Sequence, residues 1–286
     1  MAISYDAFKN PERKYAIYPI IHARLQNQQL VDNYDKRWFA GVVGNVDYDT
    51  PDFPNDDTVW RAAADGARAY LDRGMQVWLY DEKGYPSGTA GGYVTEEYPD
   101  YIAKGLYCFR YWLTIKGPRA YRSDVPGDAL WRALLLPVGG GDPIDVTYGL
   151  NDKNVLHFDV PAGEYRLLML AKRRLFDGTH ATESHSEPRN YISLSNRAAT
   201  QAFITCTHEN YKRHLSDCFG RGIPATFTDE PSLIAWNINK SVWPMLPWLD
   251  SYPDDFYARY GYDFALACVA VVWGAGEQVI KRRCDF

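Results

Sequence analysis

Twice in this chain a short apolar run ends in Asp-Glu. The first is Met75-Gln-Val-Trp-Leu-Tyr-Asp-Glu82, continued by Lys83-Gly-Tyr-Pro-Ser-Gly-Thr-Ala-Gly-Gly92. The second is Gly222-Ile-Pro-Ala-Thr-Phe-Thr-Asp-Glu-Pro231. Met75 to Tyr80 is almost unbroken apolar, the pattern of a strand covered on both faces. Ala225 to Thr228 has strand character, and Pro231 stops it because proline has no N–H to donate to a ladder. Paired carboxylates at the tip of a buried strand are costly to desolvate. In an α/β barrel, active sites lie at such C-terminal tips. An Asp-Glu pair in a solvated loop is the commoner case, but two matching strand ends favour a shared rim. Gly84, Gly88, Gly91 and Gly92 let backbone approach a ligand closely. The Gly-x-x-x-x-Gly-Lys-Ser/Thr order of a phosphate loop is absent.

The rest of the chain supplies the partners of these strands. Lys14 to His22 reads as a first strand and Trp38 to Val46 as a second, with a polar helix over Gln26 to Trp38. Thr58 to Asp72 carries an apolar face at Val59, Ala62, Ala63, Ala67, Tyr70 and Leu71, with Asn55 or Asp56 as cap and Gly74 at its end. Gln76 to Tyr80 is the third strand. Alternating strands and helices predict a parallel sheet. The spacing then changes to short alternating segments: Tyr107–Ile115, Trp131–Pro137, Ile144–Tyr148, Val155–Val160 and Tyr165–Ala171. Turn signals at Lys116-Gly-Pro118, Gly139-Gly-Gly-Asp-Pro143 and Pro161-Ala-Gly163 separate several of them. This predicts an antiparallel β-sandwich inserted over 98–188. The α/β pattern resumes with a helix from Arg197 to about Phe219, capped by Asn196, and the Thr-Asp-Glu-Pro strand as fourth. A proline-rich loop over Ser241 to Pro253 and helices at Asp254–Tyr260 and Phe264–Trp273 follow. The expected fold class is α/β: a partial (β/α)8 barrel of about four βα units over 1–97 and 189–286, with the insert between. The strands ending at His22, Asn45, Asp81 and Asp229 are expected as neighbours in that order.

Charge and composition exclude some roles. The net charge of −5 gives no reason to expect a nucleic-acid or membrane-surface partner. No apolar run approaches the ~18 residues of a membrane span. Met1 to Lys14 is polar and lacks the apolar core of a signal peptide. The chain as given is therefore expected in the cytoplasm, with a periplasmic or secreted parent enzyme left open. The five cysteines include no Cys-x-x-Cys pair and are expected to be buried free thiols. Aromatic residues make up 15% of the chain, a content that serves sugar stacking and core packing equally well.

The segments Trp78-Leu-Tyr-Asp-Glu-Lys-Gly-Tyr-Pro-Ser-Gly88 and Phe227-Thr-Asp-Glu-Pro231 resemble the catalytic barrel of the α-L-rhamnosidase-like glycoside hydrolases (glycoside hydrolase family 106 and relatives). Asn190-Tyr-Ile-Ser-Leu-Ser-Asn196 and Arg259-Tyr-Gly-Tyr-Asp263 resemble the same family, so the likeness covers nearly the whole chain. It implies a large barrel with extra β-domains and inverting hydrolysis of a rhamnoside or of another plant or bacterial polysaccharide. It also implies a glutamic acid as general acid, a second glutamate as base, and a bound calcium ion. Inversion needs two carboxyl groups about 6.5–9.5 Å apart, with room for a water. Glu230 suits the acid; Glu82 could serve as the second carboxylate, but a third-strand residue is more often a substrate or metal contact. His22, Asp81, Tyr85, Ser87 and Asp229 are the expected contacts to an oligosaccharide or polysaccharide. The chain departs from the family in offering four strands. With 98–188 set aside, fewer residues remain than the roughly 250 of a complete barrel. The sequence thus reads as the front part of a barrel, with the seventh-strand glutamate beyond Phe286. A catalytically incomplete fragment or carbohydrate-binding remnant is the alternative. A metal hydrolase built on His22, Asp81 and Asp229 is a third possibility, though no His-Glu-x-x-His spacing supports it.

Overall fold

A computed structural model of the chain describes residues 4–126, 129–183, 189–233 and 243–286. In chain order the elements are α1 (Tyr5–Lys9), β1 (Ile20–His22), α2 (Gln28–Lys36), β2 (Gly41–Gly44), α3 (Asp57–Leu71), β3 (Gln76–Tyr80) and α4 (Tyr93–Glu97). Then come β4 (Lys104–Asp124), β5 (Ala129–Pro137), β6 (Ile144–Asp145), β7 (Val155–Arg174), α5 (His180–Glu183), α6 (Arg197–Cys206), α7 (His208–Leu215) and β8 (Ala225–Phe227). The last are β9 (Met245–Trp248), α8 (Tyr252–Tyr260), α9 (Phe264–Val272) and α10 (Val279–Asp285). They form two compact units. The first takes the chain up to Ile102 and again from Phe176 to Leu233; the second takes Ala103–Leu175 and the described residues 243–286. No helix among the described residues is long and apolar enough to cross a membrane.

The first unit is built on a parallel sheet in the order β1-β2-β3-β8. This is the expected order, and parallel pairing sets the C-terminal ends of its strands on one rim. Gly41 permits the close approach of β2 to β3, because a Cβ there would lie 2.1 Å from the Gln76 carbonyl oxygen. Val42, Val77 and Leu79 join the core that Trp60, Ala63 and Ala67 of α3 and Phe203 of α6 also line. Trp60 is buried and its Nε1 donates to the Phe53 carbonyl at 2.8 Å. Truncating such a ring to alanine costs about 3–5 kcal/mol. Asp56 caps α3 by accepting from Thr58 N, and Gly74 takes the left-handed φ of 70° beyond its end. The expected helix from Arg197 to Phe219 is two. It breaks at Thr207, whose Oγ1 bonds back to the Phe203 carbonyl at 2.7 Å.

The second unit corrects the expected insert. It holds a five-stranded sheet in the order β6-β5-β7-β4-β9, all pairs antiparallel. Val155–Val160 and Tyr165–Ala171, expected as separate strands, are both parts of β7. Its Pro161-Ala-Gly163 segment is a bend, matched by Gly117-Pro118 on β4. A Cβ on Gly117 would meet the Pro161 carbonyl oxygen at 1.9 Å, so only glycine passes there. Leu156, Phe158 and Val160, before the bend, share a core with Leu167 and Met169 beyond it and with Leu135 of β5, so the sheet curls over itself. On the other face Leu106, Cys108, Leu134 and Leu168 pack with Phe256, Phe264 and Val269 of α8 and α9.

The expectation that 189–286 continues the barrel also changes. The proline-rich stretch contains β9, which pairs with β4, and α8 and α9 cover that sheet. Pro247 is tolerated because β9 is an edge strand. Four of the cysteines are buried free thiols as expected; Cys284 is exposed.

The unit boundaries lead to a prediction. Leu175 N donates to the Ala103 carbonyl at 2.9 Å, so the ends of the excursion lie side by side. Joining 1–102 to 176–233 should give a soluble protein with cooperative thermal unfolding by circular dichroism. Deleting 103–175 alone should give an aggregating product, because α8 and α9 lose the sheet they cover. Equal behaviour of the two deletions in size-exclusion chromatography would show that 243–286 does not depend on that sheet.

Candidate functional site

The rim of the first unit is organised by the side chains that leave β3. Beyond Tyr80 the ladder with β8 continues for one bond, from Asp81 N to the Phe227 carbonyl. Asp81 is 1% exposed and accepts from Ser87 Oγ and from Thr228 Oγ1, both at 2.6 Å. His208 Nε2 lies 3.4 Å from its Oδ2. One carboxylate thus ties the glycine loop to the Thr-Asp-Glu-Pro segment. Ser87 completes the link: its N–H donates to the Asp229 carbonyl at 2.7 Å, and its Oγ accepts from Asp229 N at 2.9 Å. Both backbone groups of Asp229 are therefore held by one serine.

Tyrosine hydroxyls hold the next layer. Tyr80 Oη donates toward Asp229 Oδ2 at 2.7 Å and lies against the Gly84 carbonyl. Burial, and then the neighbouring Asp229, push the Tyr80 phenol far up, so it keeps its proton. Tyr191 donates to the Ser87 carbonyl at 2.6 Å, and burial raises its pKa as well. Tyr211 donates to the Tyr80 carbonyl at 3.1 Å and accepts from Val46 N at 2.9 Å.

Glu82, the expected second catalytic carboxylate, is fully buried. Its Oε2 accepts from the N–H groups of Gly88, Thr89 and Ala90 and from Thr89 Oγ1, at 3.1, 2.9, 2.9 and 3.1 Å. Its Oε1 accepts from Lys83 N and Gly91 N and pairs with Arg189 Nη1 at 3.2 Å. Left-handed backbone at Gly88, Ala90 and Gly91 aims these donors inward, in the manner of an anion nest. Every lone pair has a partner, leaving no place for a water or a sugar. Asp81 and Ser87, also expected to touch substrate, are buried and hydrogen-bonded to one another.

The remaining expected residues are accessible. Glu230 is exposed, at a left-handed φ of 44°, and its carboxylate makes no hydrogen bond or ion pair among the described residues. His22 is exposed at φ 48°, with its ring 5.6 Å from that of Tyr80. Tyr85 is 41% exposed and Asp229 is half-buried. Asn45 is buried, and its Oδ1 has no hydrogen-bond partner, an acceptor suited to a water or a ligand hydroxyl. Beside this rim, the loop after β2 and the glycine loop enclose a cavity of about 380 Å³, lined by Tyr48, Asp52, Lys83, Gly91, Tyr93 and Glu96 among others. Small-ligand pockets begin at about this size. Burial and Asp52, which accepts from its hydroxyl at 3.3 Å, push the Tyr93 phenol up to about 12.

The sequence reading missed Arg189, His208, Thr228 and the three tyrosines. His208 and Arg189 are far from Asp81 and Glu82 in sequence, and no spacing motif connects them. Calcium binding takes six to eight oxygen ligands. Among the described residues no three of His, Cys, Asp and Glu converge as a metal site. Comparison of the chain with family models, with curated proteins and with solved structures finds no match.

The geometry of Glu82 gives a direct test. Glu82→Gln puts an amide NH2 among inward-pointing N–H groups and removes the Glu82–Arg189 ion pair. The expected loss is about 3–5 kcal/mol of stability in urea unfolding, the range for breaking one side of a buried pair. A loss below about 1 kcal/mol, typical of an exposed pair, would mean that the cradle does not hold the rim.

Proposed function

We propose that the first unit is part of a (β/α)8-type barrel of an α-L-rhamnosidase-like glycoside hydrolase, with Glu230 as general acid toward a rhamnoside or another plant or bacterial glycoside. One observation carries the reading: an exposed glutamate held at positive φ directly after a residue whose backbone is clamped on both sides. A non-glycine residue at such φ costs roughly 1–3 kcal/mol and persists only where its surroundings over-determine it, as at active sites. Here Ser87 and Asp81 impose the conformation, and the side chain that results is the one carboxylate of Asp81, Glu82, Asp229 and Glu230 without a partner among the described residues.

In this reading Glu230 gives its proton to the glycosidic oxygen as the bond to the leaving group breaks. Water attacks the anomeric carbon from the opposite face and passes its proton to a second carboxylate. Glu82 is not the base, because its lone pairs are taken. That same fact favours a second reading: a unit that binds carbohydrate without turning it over.

The readings separate in one experiment on the full chain: aryl-glycoside release alongside calorimetric binding of the unreactive sugar. Catalysis predicts turnover that falls about 10²–10⁴-fold in Glu230→Gln, the size of an acid contribution. Glu230→Gly should abolish turnover yet raise stability by about 1 kcal/mol, because glycine relieves the left-handed strain. Binding without turnover in either protein supports the second reading. Turnover indifferent to Glu230 sinks the assignment of the acid.

A further inference from the structure

The second unit carries a surface that this chemistry does not use. Between the pairs Tyr111↔Leu167 and Ile115↔Tyr165 the register of β4 and β7 shifts, so Trp112, Leu113 and Thr114 stand opposite Arg166 alone. Bulges of this kind re-aim side chains and gather beside functional sites. Here the bulge sets Trp112 59% and Leu113 84% into solvent. Trp112 leans on Trp273, with ring centroids 4.9 Å apart and planes at 44°. The Arg110 guanidinium lies 5.0 Å from the centre of the Trp112 ring. That of Arg166 lies 5.9 Å from both indole rings.

The two arginines have charge to spare. Arg110 Nη1 donates to the Val272 carbonyl at 3.2 Å, and that neutral contact leaves the cation uncompensated. The Nε of Arg110 and that of Arg166 are buried and make no hydrogen bond. Among the described residues no carboxylate pairs with either, and the nearby Glu164 is taken by Lys116 at 2.8 Å. A cation partly removed from water without an anion is an unfavourable arrangement. It becomes favourable when an anion arrives in the plane of the guanidinium fork.

We propose that Trp112, Trp273, Arg110 and Arg166 form a binding platform for a chain of anionic sugars, a polyuronate. The indole faces take the C–H faces of sugar rings, and the arginines take the carboxylates. A neutral glycan would satisfy the rings and leave both cations unmet. A single-stranded nucleic acid also stacks on aromatic rings, but it needs a groove of many cations. This chain offers two arginines on a protein of net charge −5. The proposal rests on the carbohydrate reading only in choosing a sugar polymer. Its readout is binding, so a failure of Glu230 chemistry leaves it intact.

The test is isothermal calorimetry of the full chain with trigalacturonate, with neutral cellotriose of equal length, and with an oligouridylate. Trigalacturonate should bind at least about tenfold more tightly than cellotriose, and the preference should shrink at about 1 M salt, where the screening length is short. Trp112→Ala and Arg166→Gln should each weaken uronate binding about tenfold, the size of one stacking contact or one charge-assisted hydrogen bond to the ligand. Trp112→Phe, which keeps an aromatic face, should retain most of the binding. Trp112 is exposed, so an unchanged melting temperature certifies that Trp112→Ala still folds. Equal affinity for the two sugars, tighter binding of the oligouridylate, or indifference to both substitutions would overturn the proposal. So would self-association that Trp112→Ala abolishes in a protein that binds no uronate, since the patch would then join two copies.

Discussion

The carboxylate of Glu82 sits where the first unit has least freedom. It leaves β3 at the end of a buried strand, where an unpaired charge would be prohibitive. The glycine-rich loop is the answer to that charge. Its backbone N–H groups, the Thr89 hydroxyl and the Arg189 guanidinium all converge on one side chain. The loop therefore has a fixed shape for an electrostatic reason, and Ser87 is fixed with it. Because Ser87 holds both backbone groups of Asp229, the cradle of Glu82 sets the geometry of a segment well over a hundred residues away in sequence.

Much of this was legible before any coordinates. The apolar run of β3 and the Thr-Asp-Glu-Pro segment identified two neighbouring strand ends, and periodicity gave α3 almost to the residue. What stayed hidden was how the carboxylates divide their work. Asp81-Glu82 and Asp229-Glu230 are the same dipeptide, each at the end of a short strand. Nothing local says that Glu82 points into a nest of N–H groups while Glu230 points into solvent. That depends on left-handed backbone at Ala90 and Glu230, and on Arg189 and His208 arriving from other elements. Glycine and proline punctuation misled for a related reason. Pro161-Ala-Gly163 has the residues of a turn, but a bend shared by two paired strands needs the same residues, and only the partner at Gly117 distinguishes them. The proline-rich stretch near Pro247 hid a strand because an edge position removes the penalty that excludes proline from sheet interiors.

The second unit follows a different logic. Long paired strands bury their alternate residues on both faces, one face against their own continuation and the other against α8 and α9. Helix α9 is apolar nearly all round, which is stable only when it is buried. The sheet still has places that present side chains to solvent, along the second half of β4 and at the bend of β7. The bulge at Trp112 is one, and it exposes an aromatic ring and a leucine that ordinary alternation would not place side by side.

The two ways of exposing a side chain in this molecule differ in what enforces them. At Trp112 the extra residues in β4 need no strained backbone. At Glu230 the exposure comes with a left-handed φ that a glycine would adopt without strain. A rim needing only rigidity would be better served by glycine there, since Ser87 clamps the preceding residue in either case. Keeping a carboxyl group at that position trades stability for a polar side chain aimed outward from a rigid base. The glycosidase role proposed for Glu230 needs such an arrangement: a reacting group held by its backbone, with its supporting hydrogen bonds made by other residues and its own oxygens left for the substrate.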